Sequence, residues 1–171
     1  MELRAWRMED REELTRLADS PKIAKNLKDV FPNPYTAADA ERFLTFCRDT
    51  PEDQALNRAI LVEGRLVGCV GLTFGTDIYT GSAEIGYWLG EDCWGRGIAA
   101  EAVREMCRLA FEELGLWRVW AAVFSANAAS CRVLETCGFT LEGTLKSAAV
   151  KGGERMDVKL YGLVKEEMKN S

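Results

Sequence analysis

Gly95 and Gly97 stand one residue apart in the run Trp94-Gly95-Arg96-Gly97-Ile98-Ala99, where an extended segment ending at Leu89 gives way to an apolar helical stripe starting at Ile98. A strand, a glycine turn and the first turn of a helix bring several backbone N–H groups to one point, and the helix dipole adds roughly half a positive charge there. The chemistry this favours is anion binding. Glycines let the chain approach a phosphate closely, and Arg96 supplies a full charge nearby. The same pair could simply shape a strand-to-helix corner. Two common nucleotide loops do not fit, because no Gly-Lys-Ser/Thr follows and Gly-Arg-Gly behind Trp94 does not complete G-x-G-x-x-G.

The absence of histidine from all 171 residues removes Ser-His-Asp and Cys-His nucleophile pairs, H-E-x-x-H zinc sites and Cys/His zinc fingers together. No metal site is expected. Any reaction must run on carboxylates, hydroxyls, thiols, amines and backbone dipoles. Six cysteines (Cys47, Cys69, Cys93, Cys107, Cys131 and Cys137) form no C-x-x-C pair and read as reduced thiols. The net charge of -5, with no basic run, argues against a nucleic-acid partner and suits a cationic acceptor slightly better. With 47% apolar residues the chain can bury one proper core, so residues 1–171 are expected to form a single domain. Neither a membrane span nor a signal-peptide core is apparent, which points to a soluble, cytoplasmic protein.

The elements that must position this turn follow from hydrophobic period. Leu3 to Trp6 reads as a strand and Met8 to Ala18 as a helix that Ser20-Pro21 ends. Thr36 is placed to cap a second helix burying Ala40, Phe43, Leu44 and Cys47. Arg58 to Val62 and Leu66 to Phe74 form a hairpin across Glu63-Gly64, and Ala83 to Leu89 forms the next strand. Ile98 to Leu114 is the longest helix. Trp117 to Phe124 reads as a largely buried strand, Ala128 to Thr136 as a helix stopped at Gly138, and Phe139–Val150 with Met156–Leu163 as a closing hairpin. Alternation of strand and helix only in the second half predicts an α+β domain on a mixed sheet.

Four stretches resemble the GNAT acetyltransferase superfamily, and within it the RimJ/RimL-type branch of ribosomal-protein N-terminal acetyltransferases: "FPNPYT", "AEIGYWLGEDCWGRGIAAEAV", "NAASCRVLETCGFTLEGTLK" and "MDVKLYGL". The resemblance spans nearly the whole chain. It implies a mostly antiparallel sheet of about seven strands flanked by about four helices, with acetyl-CoA as co-substrate. The family's Q/R-x-x-G-x-G/A phosphate pattern falls on Trp94, Gly97 and Ala99, with Gly95, Arg96 and Ile98 between; Trp94 departs from Gln or Arg. The family's splayed strand places Tyr87, Trp88 and Leu89 along the pantetheine arm, the Leu89 N–H facing the thioester oxygen.

Amine acetylation needs a neutral amine, a donor to the developing oxyanion and a proton for the departing thiolate. Where many superfamily members carry a tyrosine acid, this chain has Leu134. Asn127-Ala128-Ala129-Ser130 instead resembles the branch in which the serine is the proton donor, so Ser130 is assigned the acid role and Asn127 a hydrogen bond to the cofactor. A serine in a helix's first turn can equally satisfy backbone groups. Glu84 is the candidate base, or a sheet-edge glutamate in a salt bridge. Asn26, Asp29, Phe31 and Tyr35 would line the acceptor pocket, or pack as an ordinary loop. Direct transfer is favoured over an acyl-enzyme on Cys93 or Cys131, which have no histidine to activate them. The implied reaction is acetylation of a primary amine, most readily a peptide N-terminal α-amine; a small antibiotic or polyamine acceptor, and a non-catalytic acetyl-CoA sensor, are the alternatives. Homodimerisation is left open.

Overall fold

In the computed structural model, which describes residues 1–168, the central strands are buried on both sides and the outer ones are not. Seven strands lie in the order β1-β2-β3-β4-β5-β7-β6. They are β1 (Glu2–Ala5), β2 (Ala55–Val62), β3 (Arg65–Phe74), β4 (Ser82–Leu89), β5 (Arg118–Phe124), β6 (Thr140–Lys151) and β7 (Glu154–Val164). The helices are α1 (Arg11–Ala18), α2 (Pro21–Ala24), α3 (Ala37–Asp49), α4 (Ile98–Glu112), α5 (Ala128–Thr136) and α6 (Lys165–Met168). Among the described residues four helices have eight residues or more, and every strand pair is antiparallel except β4 with β5. The mixed, mostly antiparallel α+β sheet expected from the sequence is the one found.

Two cores share the sheet. Leu14, Ala18, Ala40 and Leu44 of α1 and α3 pack on Ala59, Leu61 and Leu66 on one face. On the other, Val103, Met106, Ala110 and Phe111 of α4 and Leu134 of α5 cover Leu72, Ile85, Val119 and Tyr161. Covering both faces explains why β3 reads as a continuous apolar run where the edge strand β6 is mostly exposed. No helix among the described residues is long and apolar enough to cross a membrane.

Three local expectations are corrected. The first helix does not begin at Met8: Met8–Asp10 is a 3₁₀ turn, where Asp10 accepts from Arg4 at 2.7 and 2.8 Å and from the Arg7 N–H at 2.9 Å. Ser20-Pro21 ends α1 but also starts α2, with Ser20 Oγ accepting from the N–H groups of Lys22 and Ile23 and Pro21 at the first helical position. Trp117 lies outside β5 and is 56% exposed, and β5 itself alternates between buried and open residues. Thr36 does cap α3, in a reciprocal box with Asp39.

The pairing of β4 with β5 is brief. Only Ser82, Ala83 and Glu84 find partners (Arg118, Val119 and Trp120), and beyond Glu84 the strands part. Gly90 N–H donates to Val67 C=O at 2.9 Å. Because antiparallel hydrogen-bonded pairs recur every second residue, Trp88, Gly86 and Glu84 direct their backbone groups to β3. The backbone groups of Ile85, Tyr87 and Leu89 therefore face the opening gap.

Candidate active site

The gap between β4 and β5 leads to the start of α4. Gly95 and Gly97 both adopt left-handed backbone, with φ of 72° and 79°, and Gly97 is the N-terminal cap of α4. A Cβ on either would meet nothing within 4 Å, and both glycines line the cleft. The φ values exclude most side chains cheaply, and the emptiness leaves room for an anion on the amides. Arg96, by contrast, turns to an exposed cleft with Arg16 and Asp19. Cationic groups on the cradle side are Lys22 and Arg132, neither singled out by sequence reasoning.

Trp94 pins the turn to the strand. Its indole N–H donates to Leu89 C=O at 2.8 Å while the ring is 45% exposed. The carbonyl at the end of β4 is thereby satisfied within the chain, leaving the Leu89 N–H on the edge that faces the gap. A glutamine or arginine at this position has no ring with which to cover the turn.

A cleft of about 430 Å³ joins these parts, walled by Tyr87, Trp88 and Leu89 of β4, Trp94, Gly95, Gly97, Ile98 and Ala99 of the turn, and Asn127 and Ser130 of α5. Asn127 Oδ1 accepts the Ser130 N–H at 3.2 Å, capping α5 and fixing the first turn. On the cleft wall, the Tyr87 hydroxyl lies 2.8 Å from Ser130 Oγ and 3.2 Å from Ser130 C=O. Burial is the main cause raising the Tyr87 phenol above its ordinary pKa, although the hydrogen bond to Ser130 opposes it. Leu134, at the position of the family's tyrosine, is wholly buried in the core.

Side chains alternate across β4, so Tyr87 and Leu89 share the α4 face with Ile85, whereas Glu84 and Trp88 share the α1–α3 face with exposed Gly86. Glu84 stands at the apex, on the last paired position, with its side chain 22% exposed. Both of its oxygens accept from Lys28 Nζ, at 2.9 and 3.0 Å. Ser130 and Glu84 thus approach the gap from opposite faces of the sheet.

Of the four residues expected to line the acceptor pocket, Asn26 reaches the cleft wall. The other three are not brought to it. Asp29 pairs with Lys151 at 2.7 Å, tying the segment after α2 to the β6–β7 turn. Tyr35 is buried among α1 and α3, and Phe31 packs between Tyr35 (5.0 Å) and Trp88 (5.5 Å). α2 forms part of the cleft through Lys22 and Ile23, and is held there by Glu91, which accepts from Ser20 Oγ and Lys22 Nζ, each at 2.6 Å. The Ser-Pro cap signature could have revealed this helix. The Tyr87–Ser130 pair had no signal, since 43 residues separate the partners. All six cysteines are free thiols, with Cys131 buried and Cys93 on the cleft wall.

A family model described as an acetyltransferase (GNAT) domain matches residues 1–140. The chain belongs to the GNAT acetyltransferases. It is 31% identical over 169 residues to the uncharacterized N-acetyltransferase p20 of Bacillus licheniformis, covering 96% of this chain and 93% of p20. To the putative ribosomal N-acetyltransferase YdaF of Bacillus subtilis it is 35% identical over 112 residues, 66% of this chain and 61% of YdaF. The structure of Mycobacterium smegmatis RimJ in complex with CoA-disulfide superposes with a TM-score of 0.84 at 26% identity, covering 97% of this chain and 82% of RimJ. This GNAT protein is accordingly an acetyl-CoA-dependent N-acetyltransferase.

Proposed function

We propose that this GNAT enzyme transfers the acetyl group of acetyl-CoA directly to a primary amine, the α-amine at a peptide N terminus. The observation that carries the reading is the one continuous cleft that begins at the glycine turn, follows the edge of β4 and ends at Ser130. In this reading the pyrophosphate rests on the amides of Gly95, Gly97 and Ala99, flanked by Trp94 and Ile98, with only the backbone of Arg96 beside it because its side chain turns away. Arg132, which has no protein partner among the described residues, adds charge on the α5 side. Pantetheine runs beside Tyr87, Trp88 and Leu89, the Leu89 N–H serves the oxyanion, Asn127 bonds the cofactor and Ser130 donates to the leaving sulfur.

Glu84 is the base, taking the amine's proton from the other face. Both of its oxygens are held by Lys28 Nζ, in the salt bridge that is the alternative role of Glu84, so the acceptor amine must displace Lys28 before Glu84 can take its proton. Asn26 borders the acceptor's approach. Residues 1–171 act as one domain, and a homodimer is compatible with this arrangement. The peptide acceptor draws support from YdaF, named a putative ribosomal N-acetyltransferase.

The test is acetyl transfer from acetyl-CoA to a panel of free N-terminal peptides, aminoglycosides and polyamines, with products identified by mass. Acetylated peptide α-amines are expected. Product on polyamines or aminoglycosides alone would make this a small-amine enzyme, and tight acetyl-CoA binding without any acetylated amine would make it a sensor.

A further inference from the structure

The proposed assignment of Ser130 leaves a chemical difficulty that β4 addresses. A serine hydroxyl carries one rotatable proton, and an alcohol holds that proton far more tightly than a thiol does. Alone on the first turn of α5, Ser130 is a poorly directed and weak donor. It is not alone, because the Tyr87 hydroxyl stands 2.8 Å from its Oγ, on the same wall of the cleft beside which the cofactor arm would pass.

We infer that Tyr87 is a positioning residue for the transfer, holding Ser130 as the outer member of a two-hydroxyl donor; the inference rests on Ser130 being the acid. The phenol stays protonated over the working range, since burial raises it, so it has one proton to give. Either hydroxyl can donate across the 2.8 Å contact with Ser130 Oγ, and Ser130 C=O at 3.2 Å is a further acceptor for the phenol; the arrangement inferred has Tyr87 donate to Oγ, the nearer oxygen. With that bond made, the Ser130 proton is displaced from Tyr87 and left to point into the cleft both residues line. Donation into Oγ also polarises the remaining O–H, as chained hydrogen bonds do. The serine is fixed from its other side by Asn127 Oδ1 on its N–H.

The step balances. The amine nitrogen forms the C–N bond at the thioester carbonyl carbon, the C–S bond breaks with its electron pair on sulfur, and the thiolate takes the Ser130 proton. The Tyr87 proton moves to Oγ as the serine proton leaves; Glu84 takes the amine's proton and releases it to solvent, and solvent returns a proton to the phenolate.

The experiment is a cycle of Tyr87→Phe, Ser130→Ala and the double variant, with kcat, the KM for acetyl-CoA and CoA affinity measured for each. Ser130→Ala is expected to lower kcat about a hundredfold. Tyr87→Phe, which keeps the ring beside pantetheine and removes only the hydroxyl, should lower kcat about tenfold or more with a smaller change in KM and CoA affinity, and the double variant should match Ser130→Ala, because Tyr87 then has nothing to direct. Unchanged kcat in Tyr87→Phe, a rise in KM alone, or losses that multiply in the double variant would overturn the role of Tyr87 while Ser130 keeps its own. Full activity in Ser130→Ala would instead overturn the acid assignment, and this inference with it. Should Tyr87→Phe fold poorly, 3,5-difluorotyrosine at position 87 keeps the ring and hydroxyl but acidifies the phenol. An alkaline fall in kcat is then expected at lower pH than in the native enzyme, and an unshifted profile overturns the proposal.

Discussion

At Gly97 the demands of backbone and ligand coincide. A left-handed φ of 79° at the cap of α4 costs an ordinary side chain roughly 1–2 kcal/mol, and the space a Cβ would enter is the space assigned to pyrophosphate. Gly97→Glu places bulk and negative charge there. It should abolish CoA binding by calorimetry while the circular dichroism spectrum keeps its native shape and stability falls by about that backbone cost. Retained affinity would remove the phosphate role from this turn. Trp94 belongs to the same scale. Its indole anchors the turn to Leu89, so the departure from Gln or Arg changes how the cradle is fastened to β4 and leaves the amides free.

Among the elements, α2 has only four residues and depends on its ties. Ser20 caps it and donates to Glu91, and Lys22 completes the contact beside the cradle. The Lys22 hydrogen bond, with that from Ser20, holds the Glu91 carboxyl below its ordinary value. A carboxyl depressed on folding contributes stability at pH above its unfolded value, about 4.3, and that contribution is lost as pH falls through the folded value. Glu91→Gln should therefore weaken acetyl-CoA binding and lower Tm at neutral pH, with the Tm difference shrinking in acid; a difference constant across that range would contradict the tie. α2 also marks where sequence reading stops. Long elements with a clear period, such as α4 and α5, were legible because one buried face repeats every three or four residues, and the cradle was legible because its glycines abut a helix start. Ser20-Pro21 read as a terminator because a cap and a stop share residue types. Tyr87, Lys28 and Glu91 owe their roles to partners 43, 56 and 71 residues away, which no local pattern encodes.

Across the whole molecule, one sheet carries both cores, so loss of either should unravel the other. Phe111 is 2% exposed between α4 and the sheet, and Phe111→Ala should cost about 3–5 kcal/mol. At roughly 2–4 °C per kcal/mol that is a Tm fall on the order of 10 °C. Tryptophan fluorescence and far-ultraviolet circular dichroism should report one shared transition, in wild type and variant alike. Two separated transitions would mean that the α1–α3 face and the α4–α5 face fold as distinct units. The same sheet accounts for the site, because β4 and β5 part after Glu84 and open a passage with Ser130 on one face and Glu84 on the other. A crystal structure with bound CoA tests this most directly. The pyrophosphate is expected on the amides of residues 95–99, with pantetheine beside Tyr87–Leu89 and its sulfur within about 3.5 Å of Ser130 Oγ. CoA bound outside the β4–β5 gap, or with its sulfur remote from Ser130, would contradict it.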